Sequence, residues 1–178
     1  MKINVIILLA ILLTFGGCEW IKSLGEVDFD TDLIVNVPVT TAGKKSASAD
    51  PAMQDVSFMG TATLSLEENE DISPYLKKLR EIDLQTIEVT INGLVTGQTI
   101  INVTLSVSGV GTICTQSNIT SANSTFNPVI NEDNLGKAAK KLKEDQSIML
   151  TVSGTANVPI ANIVSIIFGA KVTAGALD

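Results

Sequence analysis

The side chains of this chain that could do chemistry are two cysteines and a set of carboxylates. Cys18 and Cys114 are the only thiols, nineteen residues are Asp or Glu, and there is no histidine. Histidine is the usual acid–base group near neutral pH, so its absence excludes Ser-His-Asp and Cys-His catalysis and histidine-bound zinc. A nucleophile elbow, a phosphate-binding glycine loop and a dinucleotide fingerprint are also missing. We therefore expect no catalytic residues.

Cys114 lies in a strand-like stretch, Val110–Thr115. A lone cysteine in such a place most often packs as a small hydrophobic residue. Since no histidine is present to activate it, we predict that Cys114 is not a nucleophile.

Three carboxylates, Asp28, Asp30 and Asp32, stand at alternate positions, as at the start of an EF-hand loop. The sixth position of that loop would be Leu33 instead of glycine and the twelfth Val39 instead of glutamate, so the loop cannot form. On a strand the three would share one face about 7 Å apart. That leaves a solvated face, or a loose calcium site completed by another strand. We expect no metal and no cofactor, with these residues as the one metal candidate.

The first eighteen residues have the organisation of a secretion signal. Lys2 precedes thirteen mostly apolar residues, Ile3–Phe15, and two glycines stand directly before Cys18. Thirteen residues are too few to span a bilayer core comfortably. This segment resembles the lipobox of bacterial lipoproteins, in which a lipid is attached to the cysteine thiol and cleavage leaves that cysteine as the first residue.

The lipobox resemblance implies a location and a domain organisation. It predicts a signal peptide over residues 1–17, a lipidated tether over 18–26 and one domain over 27–178. Acyl chains on Cys18 would hold the protein in the bacterial envelope, at the outer membrane, and would leave Cys114 without a disulfide partner. The mature chain has 161 residues and a net charge of −8 because Lys2 is lost, which disfavours nucleic acid as a partner. The alternatives are an uncut membrane anchor and an ordinary secreted protein with a buried thiol.

A period of two in hydrophobicity predicts that most of the remaining chain forms strands. The predicted apolar faces are Val27, Phe29, Leu33, Val35, Val37 and Val39; Val56, Phe58, Ala62, Leu64 and Leu66; Ile87, Val89 and Ile91; Ile101, Val103, Leu105 and Val107; and Ile148, Leu150 and Val152. The short Gly93–Gln98 connection predicts a hairpin between the third and fourth of these strands. The last strand, Ile163–Val172, is apolar on both sides, which predicts a central strand that is covered on each face.

Two segments break the alternation and predict short amphipathic helices. The first is Ile72–Ile82, with Ser73 as its cap and Pro74 as its first position, and the second is Glu132–Glu144. Each follows an Asn-Glu-Asp triplet and precedes a strand, at a spacing of 61 to 63 residues. The match indicates either a duplicated helix-and-strand unit or coincidence.

These elements predict a mainly β fold, an antiparallel β-sandwich with two helical cross-connections, because strands with one apolar face must bury it against another sheet. The mature region is also similar to small uncharacterised lipoproteins of Bacteroidota, in the stretches Lys77–Glu81, Val107–Thr112 and Val172–Asp178. That resemblance implies an envelope lipoprotein and supplies no activity.

The function that we expect is a membrane-anchored, non-catalytic binding or structural module with an unknown protein or glycan partner. The alternative is a carrier of a small apolar ligand or lipid within the sandwich, suggested by 45% hydrophobic residues with only 4% aromatic residues. A carrier requires a cavity larger than about 300 Å³. A third possibility, an acid-only hydrolase, requires two facing buried carboxylates.

Overall fold

Apolar side chains at alternate positions place nine strands around one aliphatic core. The computed structural model describes residues 25–41 and 55–176. The strands are β1 (Glu26–Thr41), β2 (Val56–Ser65), β3 (Leu79–Asn92), β4 (Thr99–Val107), β5 (Gly111–Thr120), β6 (Thr125–Phe126), β7 (Val129–Ile130), β8 (Ser147–Ala156) and β9 (Ala161–Gly175). One α-helix, α1 (Glu132–Asp145), and two 3-10 helices, Leu66–Glu68 and Ser73–Lys78, complete the described elements. The predicted mainly β fold class is confirmed.

The strands form two packed antiparallel layers. Their order is β6-β3-β9-β1-β2-β8-β4-β5-β7. β1 pairs with β2 only through Thr40–Thr41 and Phe58–Met59, so the sheet folds over at that corner. One layer is β6-β3-β9-β1, which we call the β9 layer, and the other is β2-β8-β4-β5-β7, the β8 layer. This order of strands is that of a jelly-roll sandwich.

The corner between β1 and β2 depends on a glycine. A Cβ atom on Gly60 would overlap the backbone carbonyl of Pro38, so only glycine lets the two strands approach this closely. On the opposite side, Thr125–Ile130 joins the two layers. Phe126 of β6 pairs with Val89 of one layer, and Ile130 of β7 pairs with Cys114 of the other.

The core between the layers is aliphatic and closely packed. Val37, Leu150, Ile166 and Phe168 are each at most 1% exposed. The internal space that Val103, Cys114, Val152 and their neighbours line measures about 10 Å³, which at most approaches the room that one water molecule needs. The inner faces of the described strands therefore fill the space between the layers.

Two predictions about β3 and β4 are wrong. They do not form a hairpin, because β3 pairs with β9 and β6 while β4 pairs with β8 and β5. The Gly93–Gln98 connection instead crosses between layers, with Gly93 and Gly97 at φ of 83° and 91°. In β4 the predicted inward residue Ile101 lies at a register shift and is only partly buried, and Ile100 is fully buried in its place.

The first predicted helix is shorter and tighter than expected. It is a 3-10 helix that ends at Lys78, and β3 begins at Leu79, so the helical extension to Ile82 is wrong. Ser73 is not the cap; Asn69 Oδ1 accepts the backbone N–H groups of Asp71 (3.0 Å) and Ile72 (2.9 Å) instead. Pairing of β3 with β9 outweighs the helical periodicity of the same residues.

The second helix, α1, is confirmed and extends one residue further, to Asp145. Asn131 caps it by accepting the N–H of Asn134 at 3.1 Å. Its buried residues are Leu135, Ala138, Ala139 and Leu142, which form the apolar stripe of an amphipathic helix. The helix packs on β3 of one layer and on β8 and β5 of the other, and so covers one end of the sandwich.

The last strand is central in its layer, since β9 pairs with β3 on one side and with β1 on the other. The prediction that it is covered on both faces is wrong. Ile163 is 49% exposed on the outer face, beside Pro38 of β1. The reason is that α1 packs over an end of the sandwich, where its apolar stripe meets both layers, and not across the outer face of β9.

Two glycine-to-alanine substitutions should change stability in opposite directions. Gly60→Ala should lower the free energy of unfolding by about 2 kcal/mol or more, because its methyl group meets the Pro38 backbone. Gly136→Ala should raise it by about 1 kcal/mol, because Gly136 lies within α1 and nothing is within 4 Å of its added Cβ. Urea denaturation of both variants measures the difference. Equal free energies of unfolding for the two variants would contradict the close approach of Gly60 to the Pro38 backbone.

Candidate interaction surface

Charged residues are divided unequally between the two layers. β1 and β3 carry four each and β9 carries one. The four long strands of the β8 layer, with 10, 10, 9 and 10 residues, carry none. Charged residues make up 17% of the chain, so an even distribution would place about seven charges in these four strands. The outer surface of the β8 layer is therefore unusual for a solvent-facing sheet.

That surface consists of three rows of outward-facing side chains that cross β2, β8, β4 and β5. We call it the hydroxyl face, because ten of its twelve residues are Ser or Thr. The rows, in strand order, are Thr61, Thr151, Ser106 and Thr112; Met59, Ser153, Thr104 and Thr115; and Ser57, Thr155, Asn102 and Ser117. Neighbouring rows lie about 7 Å apart and neighbouring strands about 4.8 Å apart.

Most of these hydroxyl groups have no partner side chain. Asn102 Nδ2 donates to Thr155 Oγ1 at 2.8 Å, and Ser106 Oγ lies 3.4 Å from Thr112 Oγ1. The other seven hydroxyls form no side-chain hydrogen bond within residues 25–41 and 55–176. Each can donate one hydrogen bond and accept two. The face therefore presents a dense, uncharged array of donors and acceptors to whatever lies against it.

Two methionines and Val129 contribute the large apolar groups of this layer's outer surface. Val129 of β7 pairs with Thr115 at the end of the second row and is 87% exposed. Met59 is 58% exposed in the second row, and Met149, one position beyond Thr151 toward the α1 end of the layer, is 53% exposed. The described aromatic rings lie elsewhere; Phe58, for example, is buried in the core. The surface thus combines hydroxyl groups with flexible thioether side chains.

The outer surface of the β9 layer is acidic. Asp28, Asp30 and Asp32 of β1 lie exposed along it, and Lys171 of β9 is flanked by Asp30 and by Asp83 of β3. Thr173 Oγ1 donates to Asp28 Oδ1 at 2.7 Å. In the described ranges no three Asp, Glu or Cys side chains come together as a metal site would need. The calcium candidate is therefore an exposed row of carboxylates.

An open groove of about 390 Å³ lies where β1 and β2 diverge, and its lining includes Asp32, Glu68 and Asp71. Thr31 Oγ1 donates to Asp71 Oδ2 at 2.7 Å and fixes this segment against β1. The buried polar residues of the described chain are Thr31 and Asn162, and neither is a carboxylate. The buried carboxylate pair that the hydrolase hypothesis needs is thus missing from the described residues.

Cys114 is buried in β5, 6% exposed, as predicted. Burial raises the pKa of its thiol from 9.0 to about 11, although a hydrogen bond from the Leu105 backbone acts in the opposite direction. A thiol with such a pKa stays protonated and unreactive at neutral pH. Cys18 and the predicted signal peptide lie outside the described residues. None of the described helices has the length and hydrophobicity to cross a membrane.

The described chain ends lie together at the α1 end of the sandwich. The Ala176 N–H donates to the Gly25 carbonyl at 2.8 Å, and Lys78 Nζ donates to the Ala176 carbonyl at 2.8 Å. At the opposite end, the turn before β9 is tied to the β3–β4 connection by Asn157, which accepts from Thr99 N (2.8 Å) and donates to the Gly97 carbonyl (2.9 Å). A tether that joins the domain at Gly25 would therefore attach at one end of the sandwich and would leave both outer faces accessible to a partner.

Only part of this surface is predictable from the sequence. The alternation in the sequence predicts that Asn102, Thr104 and Ser106 face water together with Thr90. Thr90 lies in the other layer, beside Thr125. The signal that could have revealed the hydroxyl face is the absence of charge from four separate strands. Those four strands form one continuous surface only because the strand order places them side by side.

Comparisons with known proteins identify no family. No protein-family model matches the chain, and no curated protein matches it. Similar solved structures include a chain of Desmodium yellow mottle tymovirus (15% identity, TM-score 0.37, covering 85% of this chain and 91% of that one). They also include Mud crab tombus-like virus (9%, 0.40, 86% and 82%) and Turnip yellow mosaic virus (13%, 0.31, 85% and 97%). At these TM-scores no functional conclusion follows.

The buried thiol should make stability fall at alkaline pH. Because the folded pKa of about 11 lies above the ordinary value of 9.0, the contribution of Cys114 is complete below pH 9 and is lost as the pH rises toward 11. Over that range the free energy of unfolding should fall by about 2 kcal/mol more for the wild type than for Cys114→Val. Denaturation curves from pH 8 to 11 measure this; parallel pH profiles would show that the thiol is not buried.

Proposed function

We propose that this chain is a membrane-anchored, non-catalytic binding lipoprotein of the bacterial envelope, which contacts its partner through the hydroxyl face. The observation that carries the proposal is that face: a broad sheet surface without charge whose hydroxyl groups have few partners within the described chain. A surface that served solubility alone would be expected to carry charges of both signs.

The anchor in this proposal is a lipid on Cys18, supported by the lipobox-like residues before it. The seven residues from Glu19 to Gly25 can span at most about 25 Å. The α1 end of the sandwich, where β1 begins, would then lie near the bilayer. Two or three acyl chains suffice for anchoring, since each buried methylene contributes about 0.8 kcal/mol.

The absence of catalysis in the proposal has three supports. The chain contains no histidine, the thiol of Cys114 is buried with a raised pKa, and the described residues contain no buried carboxylate. The alternative function, a carrier of a small apolar ligand, finds no support between the layers. The space of about 10 Å³ that Val103, Cys114 and Val152 line is far below the roughly 300 Å³ of a ligand pocket. The groove of about 390 Å³ beside β1 is open to solvent, and its lining includes carboxylates.

Removal of Cys18 should abolish membrane attachment. The wild type expressed in a bacterial host should partition into the detergent phase, and mass spectrometry should find acyl chains on a Cys18 that has become the first residue. Cys18→Ala should lose the lipid and the membrane association that depends on it, because the substitution removes the thiol that carries the acyl chains.

Cys114→Val is the matched control, since it removes the other thiol and should leave attachment unchanged. A bare Cys18 thiol on the membrane-derived wild type, or a leader still present, would contradict the anchored function.

A further inference from the structure

We propose that the hydroxyl face binds a neutral polysaccharide, an extended sugar polymer without carboxylate, sulfate or phosphate groups. The proposal rests on the proposed binding function and names the chemical class of its partner.

Charge selects a neutral partner. The face offers no ion pair to a charged peptide, because its strands contain no charged residue. An anionic polymer would also be repelled by the rest of the molecule, whose net charge is −7 and whose opposite layer is acidic. A neutral polymer meets neither obstacle, so charge complementarity favours it.

The hydroxyl groups select a partner that can form many hydrogen bonds. An apolar surface laid over the face would leave Thr61, Thr104, Thr151 and their neighbours desolvated without partners, which costs free energy for each group. Sugar rings carry hydroxyl groups at close intervals that both donate and accept. They can satisfy an array whose members stand about 5 to 7 Å apart.

The absence of aromatic rings determines how such binding would work. Tight recognition of a single sugar by stacking is unavailable, so affinity must come from several weak contacts repeated along a chain. A second copy of this protein fits the face less well, because protein interfaces are enriched in aromatic residues and depleted in Ser. We therefore expect affinity to increase with polymer length.

Electrophoresis of the full-length protein, purified in a neutral detergent, through gels containing dextran, mannan or hydroxyethyl cellulose tests the proposal. At least one neutral polymer should retard the protein, and its short oligosaccharides should bind about tenfold or more weakly than the long chain. Carboxymethyl dextran, which has the dextran backbone with added carboxylates, should bind more weakly than any neutral polymer that retards the protein.

The variant Thr61→Val/Thr115→Val keeps the β-branched shape of two exposed residues and removes their hydroxyl groups. It should reduce affinity about tenfold. Thr61→Lys/Thr115→Lys should also reduce binding, because each lysine projects beyond the face and holds the polymer away. Thr86→Val, an exposed residue on β3 in the opposite layer, is the matched control and should leave binding unchanged.

The proposal fails if no neutral polymer retards the protein, if the double variants bind as tightly as the wild type, or if carboxymethyl dextran binds best. Self-association that the double variants abolish, without polymer binding, would also overturn it and assign the face to a second copy. Failure of the anchored function is separate, since it would appear as a bare Cys18 in the same preparation whether or not polymer binds.

Discussion

Burial of aliphatic side chains between two layers is the constraint on which the rest of this structure depends. Each long strand must place its alternate apolar residues in the gap between the layers, and Val37, Leu150 and Ile166 are fully or almost fully buried there. Burial of apolar area at roughly 25 cal/mol per Å² is the main favourable term in folding. With the inner positions so occupied, the outer positions are left to determine how the molecule meets its surroundings.

The edges of the sandwich are bridged over short stretches, and its two outer faces are its broad surfaces. Gly60 lets β2 cross the backbone of β1 at one corner, and Thr125–Ile130 joins the layers on the opposite side. Along the free side of β1, Asn69 Nδ2 donates to the Asp32 carbonyl at 3.1 Å. Unpaired strand edges invite non-specific pairing with other chains, and these short bridges cover part of each edge.

The sequence predicted the properties that depend on local pattern. The inward residues of β1 and β2, the buried stripe of α1 and the burial of Cys114 all follow from periodicity or composition. Pairing was not predictable in this way, because alternation specifies a face and not a neighbour: β3 and β4 are adjacent in sequence and belong to different layers. The segment after Ile72 shows the same limit, since pairing of Leu79 with Ala174 ends a pattern that reads as helical.

The two outer faces then differ in charge, and we propose that the partner contacts the uncharged one. The hydroxyl face was invisible in the sequence because its rows combine four strands that are separated along the chain. An acidic face opposite it keeps the molecule soluble and repels anionic surfaces. Under the proposed anchoring, both outer faces are accessible beside the membrane, and only the uncharged face binds the partner.

Hydroxyl-radical footprinting of the protein in intact cells and of the purified protein tests this assignment most directly. Met59 lies within the hydroxyl face and Met149 lies beside it; they are 58% and 53% exposed, and methionine is readily oxidised when exposed. The account predicts that both are oxidised in the purified protein and protected in the cell. Equal oxidation of the two methionines in both samples, with protection confined to β1, β3 and β9, would contradict it.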